Sequence, residues 1–163
     1  MTAIRRARRA DHGRILEVMD DWWGGRRMSA LLPSLFLEHF ASSSFVAESD
    51  TGELVGFLVG FLSQDSPDEA YVHVVGVEPS TRGQRLGQQL HDTFAREVAG
   101  RGARRIRCVT STTNTDSVAF HTSIGFAVDG FDEPVRADGV DDVAGHVRLV
   151  REISVPSDPA PPG

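Results

Sequence analysis

The chain has one cysteine, Cys108, so it can form no internal disulfide and carries no CxxC metal motif. It has no lysine: all 17 basic residues are arginine, which we read as GC-rich codon usage with no function attached. Long apolar runs are missing too. The longest, Leu54 to Leu62, is too short to cross a bilayer as a helix. Positive charge is in deficit, 17 basic against 23 acidic residues for a net charge of −6. That argues against duplex nucleic acid or an anionic membrane as partner, since both attract basic surfaces. Arg5, Arg6, Arg8 and Arg9 near the N-terminus lack the following apolar stretch of a signal peptide, so a cytoplasmic location is expected. His12, His39, His91 and His146 show no metal-ligand spacing, and no metal is expected.

What is present reads as one globular domain. The 163 residues are 40% hydrophobic and 25% charged, which suits a single core over residues 1–153. Residues 154–163 hold four of the eight prolines and are expected to form a flexible tail.

Apolar periodicity sets out the elements. Ala3 to Ala7 reads as a short strand. An amphipathic helix follows from Asp11, with Ile15, Leu16, Met19, Trp22 and Trp23 on its stripe and Gly24-Gly25 ending it. A second helix is expected from Pro33, with Leu32, Leu35, Phe36 and Phe40 facing inward. Strands are predicted at Phe45–Ser49, at Leu54–Leu62 (apolar on both faces, hence central) and at Tyr71–Val77. A helix with the stripe Leu86, Leu90, Phe94 and Val98 leads to a strand at Ile106–Thr110, which implies a parallel pair. A helix over Asn114–Ile124 and strands at Phe126–Phe131 and His146–Ile153 complete a mixed sheet. The class is α/β (α+β), a twisted sheet of about seven strands with helices on both faces.

The segment from Val75 to Gln88 is where chemistry first concentrates. A strand ends, a loop turns, and a helix starts among Arg82, Gly83, Gln84, Arg85, Leu86 and Gly87. Free N–H groups and the positive end of the helix dipole make an anion site there. Glycine lets backbone approach a phosphate, and arginine adds charge-assisted hydrogen bonds. Two arginines beside a helix N-terminus oppose its dipole unless an anion joins them. The same residues also fit a plain glycine-containing connection with solvated arginines. The GK[ST] ending of a Walker loop and the GxGxxG spacing of a dinucleotide fold are both absent.

At these residues the chain resembles the GCN5-related N-acetyltransferase (GNAT) family, whose acyl-CoA loop runs Q/R-x-x-G-x-G/A. Arg82 and Gly87 match, whereas Arg85 stands where glycine is usual. A second match is Asn114-x-x-Ser117-x-x-Phe120-His121-x-x-x-Gly125-Phe126, similar to the family's N-x-x-[SA]-x-x-F-Y-x-x-x-G-F helix, with histidine in place of tyrosine.

The resemblance implies an acyl-CoA N-acyltransferase fold whose sheet opens between the fourth and fifth strands, with acetyl-CoA in the opening. It implies that the backbones of Val75, Gly76 and Val77 hydrogen-bond the pantetheine and acetyl carbonyl, where an N–H would stabilise an oxyanion. It implies that Gly83 to Gln88 cradle the pyrophosphate and that Asn114, Ser117, Phe120 and His121 lie along the pantetheine arm.

Two catalytic candidates emerge. His73, two residues before Val75 and so expected on the same strand face, stands where some relatives place the histidine that deprotonates the amine. His121 stands where a tyrosine commonly serves as general acid, and its own contact with the cofactor is expected ahead of an acid role. Trp22, Trp23 and Arg26 in the connection between the first helices, with Tyr71, are the expected acceptor wall, although core packing suits the tryptophans equally. Asp65, Asp68 and Glu69 could attract a cationic amine or simply be solvated. The reading is an acetyl-CoA-dependent N-acetyltransferase acting on a small-molecule amine or a peptide, in a family where homodimers are common. Acetylation of a protein N-terminus or lysine, and a non-catalytic acyl-CoA sensor, are the alternatives.

Overall fold

The computed structural model describes residues 2–133 and 145–154. All but residue 154 of the expected proline-rich tail lies outside the described residues. Seven strands form one sheet in the order β1-β2-β3-β4-β5-β7-β6: β1 (Ala3–Arg6), β2 (Phe45–Glu48), β3 (Leu54–Leu62), β4 (Glu69–Val77), β5 (Arg105–Ser111), β6 (Ala127–Asp132) and β7 (His146–Glu152). Every neighbouring pair is antiparallel except β4 and β5. That exception follows from the helix between them, since a parallel partner needs a crossover.

Among the described residues four α-helices cover the two faces: α1 (Asp11–Trp22), α2 (Leu35–His39), α3 (Leu86–Ala99) and α4 (Thr115–Ser123). Ile15, Met19 and Trp22 of α1 pack with Leu37 of α2 against Val46, Phe57, Val59 and Val74 of the sheet. On the other face Leu86, Leu90, Phe94 and Val98 of α3, the predicted stripe, meet Leu58, Val72, Ile106 and Leu149. The central strand β3 is buried on both faces, which is why it reads as an unbroken apolar run.

The second helix departs from the expectation. Leu32 has non-helical backbone (φ −122°, ψ 71°), so a single helical phase cannot run from it into α2. The phase resets at Leu35, which is exposed instead of inward-facing, and the buried residue of α2 is Leu37.

Candidate active site

Strands β4 and β5 pair only over Glu69, Ala70 and Tyr71 with Arg105, Ile106 and Arg107. Beyond Tyr71 they part, and among the described residues Val72 to Val77 keep β3 as their only strand neighbour. A cleft of about 760 Å³ opens at this gap, within the range of cofactor-sized sites. Val75, Gly76 and Val77 line it from β4, and Arg82, Gly83, Arg85, Leu86, Gly87 and Gln88 from the loop and α3. Asn114, Ser117, Phe120 and His121 line it from α4, and Trp22, Trp23 and Arg26 from the end of α1. Gln84, Tyr71 and His73, also singled out in the sequence, do not line it. Gly24, Thr81, Asp116, Ser123 and Ile124 do, and no motif marked them.

The loop is built to leave its amides free. Gly83 (φ 83°) and Arg85 (φ 62°) both take left-handed backbone, and Arg85 is the only non-glycine with positive φ among the described residues. The helix begins at Leu86, so Arg82 and Arg85 lie in the loop and not in the first turn. The backbone N–H groups of residues 83 to 88 donate to no other described residue; the first to do so is Gln89, to the Arg85 carbonyl. A run of unsatisfied amides at a helix start has the chemistry to hold an anion. At Gly87 a Cβ would come within 2.9 Å of the end of the Phe120 ring, so a larger residue here would push that ring aside.

The two arginines of the loop have different work. Arg82 donates to the Trp22 carbonyl at 2.6 Å and through Nε to the Val77 carbonyl at 3.3 Å. Two of its N–H groups thus clamp the loop to the ends of α1 and β4, while its charge has no carboxylate partner among the described residues and its side chain still lines the cleft. The side chains of Arg85 and Arg26, both exposed on the cleft, have no hydrogen bond or carboxylate partner among the described residues. Trp22 is a core residue, stacked on Phe57 at 5.7 Å, with Trp23 tilted on the same ring at 6.0 Å. Gly76 is required by that packing: a Cβ there would sit 2.7 Å from Phe57 and 2.8 Å from Trp23.

His73 is displaced from its expected face. The β3–β4 register shifts, with Val59 opposite Val74 and Gly60 opposite Val72, which leaves His73 as an extra residue in a β-bulge. The bulge breaks the two-residue alternation. Val75 packs against the α3 side, whereas the His73 ring stacks on Phe36 of the α1–α2 side, 4.2 Å away and 3° from parallel. Its Nε2 lies 2.5 Å from the Leu31 carbonyl oxygen, an acceptor only, so Nε2 carries the proton and Nδ1 is the free nitrogen. Tyr71 stacks on Phe61 at 5.5 Å on the same side, and burial raises its pKa.

His121 lies on the cleft side, 6% exposed. Its Nδ1 sits 2.7 Å from the Ser117 carbonyl oxygen one turn back and therefore donates to it. Burial lowers the pKa of this imidazole. Asn114 caps α4 by accepting from the Ser117 amide at 3.2 Å, which fixes the turn that presents Ser117 and His121. Behind His121, edge-on at 5.3 Å, is His91 of α3, fully buried with neither ring nitrogen hydrogen-bonded. Burial pushes its pKa down to about 3. Spacing could not have distinguished His91 from a stripe residue of α3. Cys108 is buried in β5, and its thiol is pushed up to about 12, so it is no nucleophile.

Residues 5–126 match the profile of the acetyltransferase (GNAT) family. The chain belongs to the GNAT family. It is 33% identical over 90 residues to the L-2,4-diaminobutyric acid acetyltransferase of Nocardia farcinica, covering 55% of this chain and 46% of that protein. It is 29% identical over 111 residues to the mycothiol acetyltransferase of Corynebacterium glutamicum strain R, covering 66% of this chain and 37% of that protein. The chain thus spans about half the length of the curated relatives it matches, or less. Among solved structures, the ribosomal-protein-alanine N-acetyltransferase of Brucella melitensis superposes with a TM-score of 0.75 at 20% identity, over 93% of this chain and 99% of that one. The ribosomal-protein-S18-alanine N-acetyltransferase of Escherichia coli gives 0.70 at 18%, over 94% and 95%. These likenesses show the GNAT fold, in which the gap between β4 and β5 is the opening that the resemblance implied. No helix among the described residues is long and apolar enough to cross a membrane, and no metal-binding cluster occurs among them.

Proposed function

We propose that the chain is an N-acetyltransferase that moves the acetyl group of acetyl-CoA to the primary amine of a small molecule by direct attack in a ternary complex. The observation that carries this reading is the run of unpartnered amides from Gly83 to Gln88 beside the unzipped half of β4. The residues fit the cosubstrate: the amides and the unpaired Arg85 suit its diphosphate, and the unpaired backbone edge of Val75 to Val77 suits an amide-bearing arm and an acyl oxygen. When bound, acetyl-CoA supplies an activated acyl group on a thiolate leaving group.

The amine is taken to enter from the α1–α2 side, past Trp23 and Arg26. There the Nδ1 of His73 removes the ammonium proton, directly or through water. The diaminobutyric acid and mycothiol acetyltransferases named above favour an acceptor that carries an amine on a small polar molecule. The site is expected to work in the cytoplasm.

The test is free-thiol release from acetyl-CoA across diamino acids, amino sugars, polyamines and short peptides, beside thermal shift with desulfo-CoA. Thiol release with a small amine supports the reading. A thermal shift without turnover on any amine replaces it with a non-catalytic sensor, and no shift at all removes the cofactor site.

A further inference from the structure

We infer that Trp23 sets the length of the acyl group: its indole edge closes the α1 side of the unpaired stretch of β4, which leaves room for acetyl but not for longer chains. The inference rests on the acetyltransferase reading and deepens it. The loop amides and the backbone edge of β4 suit parts common to every acyl-CoA, so they cannot select among acyl chains.

Backbone polarity locates the place where an acyl oxygen is received. The Glu78 amide donates to the Val55 carbonyl, so at this residue the backbone groups turn towards β3. In an antiparallel pair those groups alternate along the strand. Gly76 therefore also faces β3, while Val75 and Val77 present N–H and C=O to the gap. Side chains alternate between the two faces of the sheet. Val75 and Val77 pack on the α3 side, and Gly76 between them faces Phe57 and Trp23 on the α1 side. An acyl group held by Val75 or Val77 thus has valine side chains on one side and the bare Cα of Gly76 on the other.

Trp23 fills that bare side. A Cβ on Gly76 would meet Trp23 Cη2 at 2.8 Å, so the far edge of the indole already lies against the strand. The wall has nowhere to retreat. Behind it is Phe57, fully buried, tilted against Trp23 at 6.0 Å and stacked on Trp22 at 5.7 Å. The backbone is pinned as well: Arg82 donates to the Trp22 carbonyl at 2.6 Å, and the Trp23 amide donates to the Asp20 carbonyl at 3.2 Å. Trp23 is half-buried and lines the cleft, so it meets a ligand as well as the core. Close-packed side chains resist added volume, and one extra methylene in a tight apolar pocket changes kcat/KM by about 10–200-fold. A smaller residue at position 23 deepens the cleft beside Gly76 and leaves the loop amides untouched.

Two measurements on the full chain test this. The first needs no turnover: melting scans with acetyl-, propionyl- and butyryl-CoA. Acetyl-CoA should raise the parent most and butyryl-CoA least, whereas all three should raise Trp23→Ala about equally. The second is thiol release with one amine held saturating, so that any effect of Trp23 on the amine is shared by the three donors. In the parent, kcat/KM should fall about tenfold or more from acetyl to propionyl, and again to butyryl. In Trp23→Ala, butyryl should come within about threefold of acetyl. Trp23→Phe, with a smaller ring in the same place, should recover propionyl and not butyryl, and it decides the outcome where Trp23→Ala gives no cooperative melt. A parent that uses butyryl-CoA within about threefold of acetyl-CoA, or folded variants that keep the parent's ratios, overturns the gate while the transferase reading stands. A parent that releases no thiol from any donor with any amine overturns both.

Discussion

Replacing His91 by leucine should make the protein more stable, and increasingly so towards acid. A neutral imidazole has one donor and one acceptor, and at His91 both are buried and unpaired. Relieving an orphaned polar group is worth about 1–3 kcal/mol. Against this stand the edge-on contacts with Phe126 and His121, worth roughly 0.5–1.5 kcal/mol each. With both nitrogens orphaned the relief comes to roughly 2–6 kcal/mol against roughly 1–3 kcal/mol for the two contacts, a net gain at pH 7.5 of the order of 2 kcal/mol.

Acid then widens the gap. The His91 ring holds no proton in the folded state until about pH 3, whereas an unfolded histidine takes one near pH 6.5. Between those values the unfolded chain binds the extra proton, so the parent loses stability as pH falls, at up to about 1.4 kcal/mol per unit. At pH 5.0 His91→Leu should lead by roughly 2 kcal/mol more than at pH 7.5. Urea midpoints of both proteins at the two pH values, with unchanged slopes, measure this. A variant less stable at pH 7.5 and no better placed at pH 5.0 would refute the reasoning: His91 would then have a partner, such as a buried water, that leucine destroys.

Three further substitutions probe the frame and the cradle. Arg85→Gly exchanges left-handed strain of about 1–2 kcal/mol for a glycine cost of about 0.5–1 kcal/mol, so a melting scan should show a rise of roughly 2 °C. The same change removes an exposed cation, and desulfo-CoA should bind up to about fivefold more weakly. Gly87→Ala places a Cβ 2.9 Å from the movable end of the Phe120 ring; the ligand-free melting temperature should change little while the rise produced by desulfo-CoA shrinks. Glu48, hydrogen-bonded by Arg5 and Arg14, is held down at about 2, so its stabilisation is present above the ordinary carboxylate range near 4 and lost as pH falls towards 2. Glu48→Gln should therefore melt lower than the parent at pH 6, with the difference closing by pH 2.5.

The order of elements and the loop proposed as an anion cradle were legible because each rests on local spacing. An apolar run bounded by turns, a stripe such as Leu86, Leu90, Phe94 and Val98, and a glycine-bearing loop are all set by residues close in the chain. The bulge at His73 was not. Val72, His73, Val74 and Val75 suit either face of a strand, so an extra unpaired residue leaves no mark in the composition, yet it reverses which way His73 points. Arg82 shows the same limit from another side: its motif position gives no sign of the hydrogen bond to the Trp22 carbonyl, 60 residues away, that anchors the loop. The phase of α2 failed for a local reason that periodicity cannot register, the non-helical backbone at Leu32.

The electrostatics of the cleft bear on how an acidic chain could hold a polyanion. A net charge of −6 describes the far field, and salt damps that beyond about 8 Å. Close to the cleft the distribution is different. Arg5 and Arg14 are spent on Asp11 and Glu48, Arg6 and Arg101 on Glu97, Arg107 on Glu69 and Asp129, and Arg148 on Asp132. Arg26, Arg82 and Arg85 face the cleft without such a counterion among the described residues, beside amides that present further positive charge. Because these side chains are exposed, their share of the attraction should fall with added salt, while that of the amides, set by fixed backbone at short range, should persist. A desulfo-CoA affinity that drops only part-way between low and high salt is therefore the expected behaviour. A collapse of affinity would mean that the arginines, and not the backbone of residues 83 to 88, do the holding.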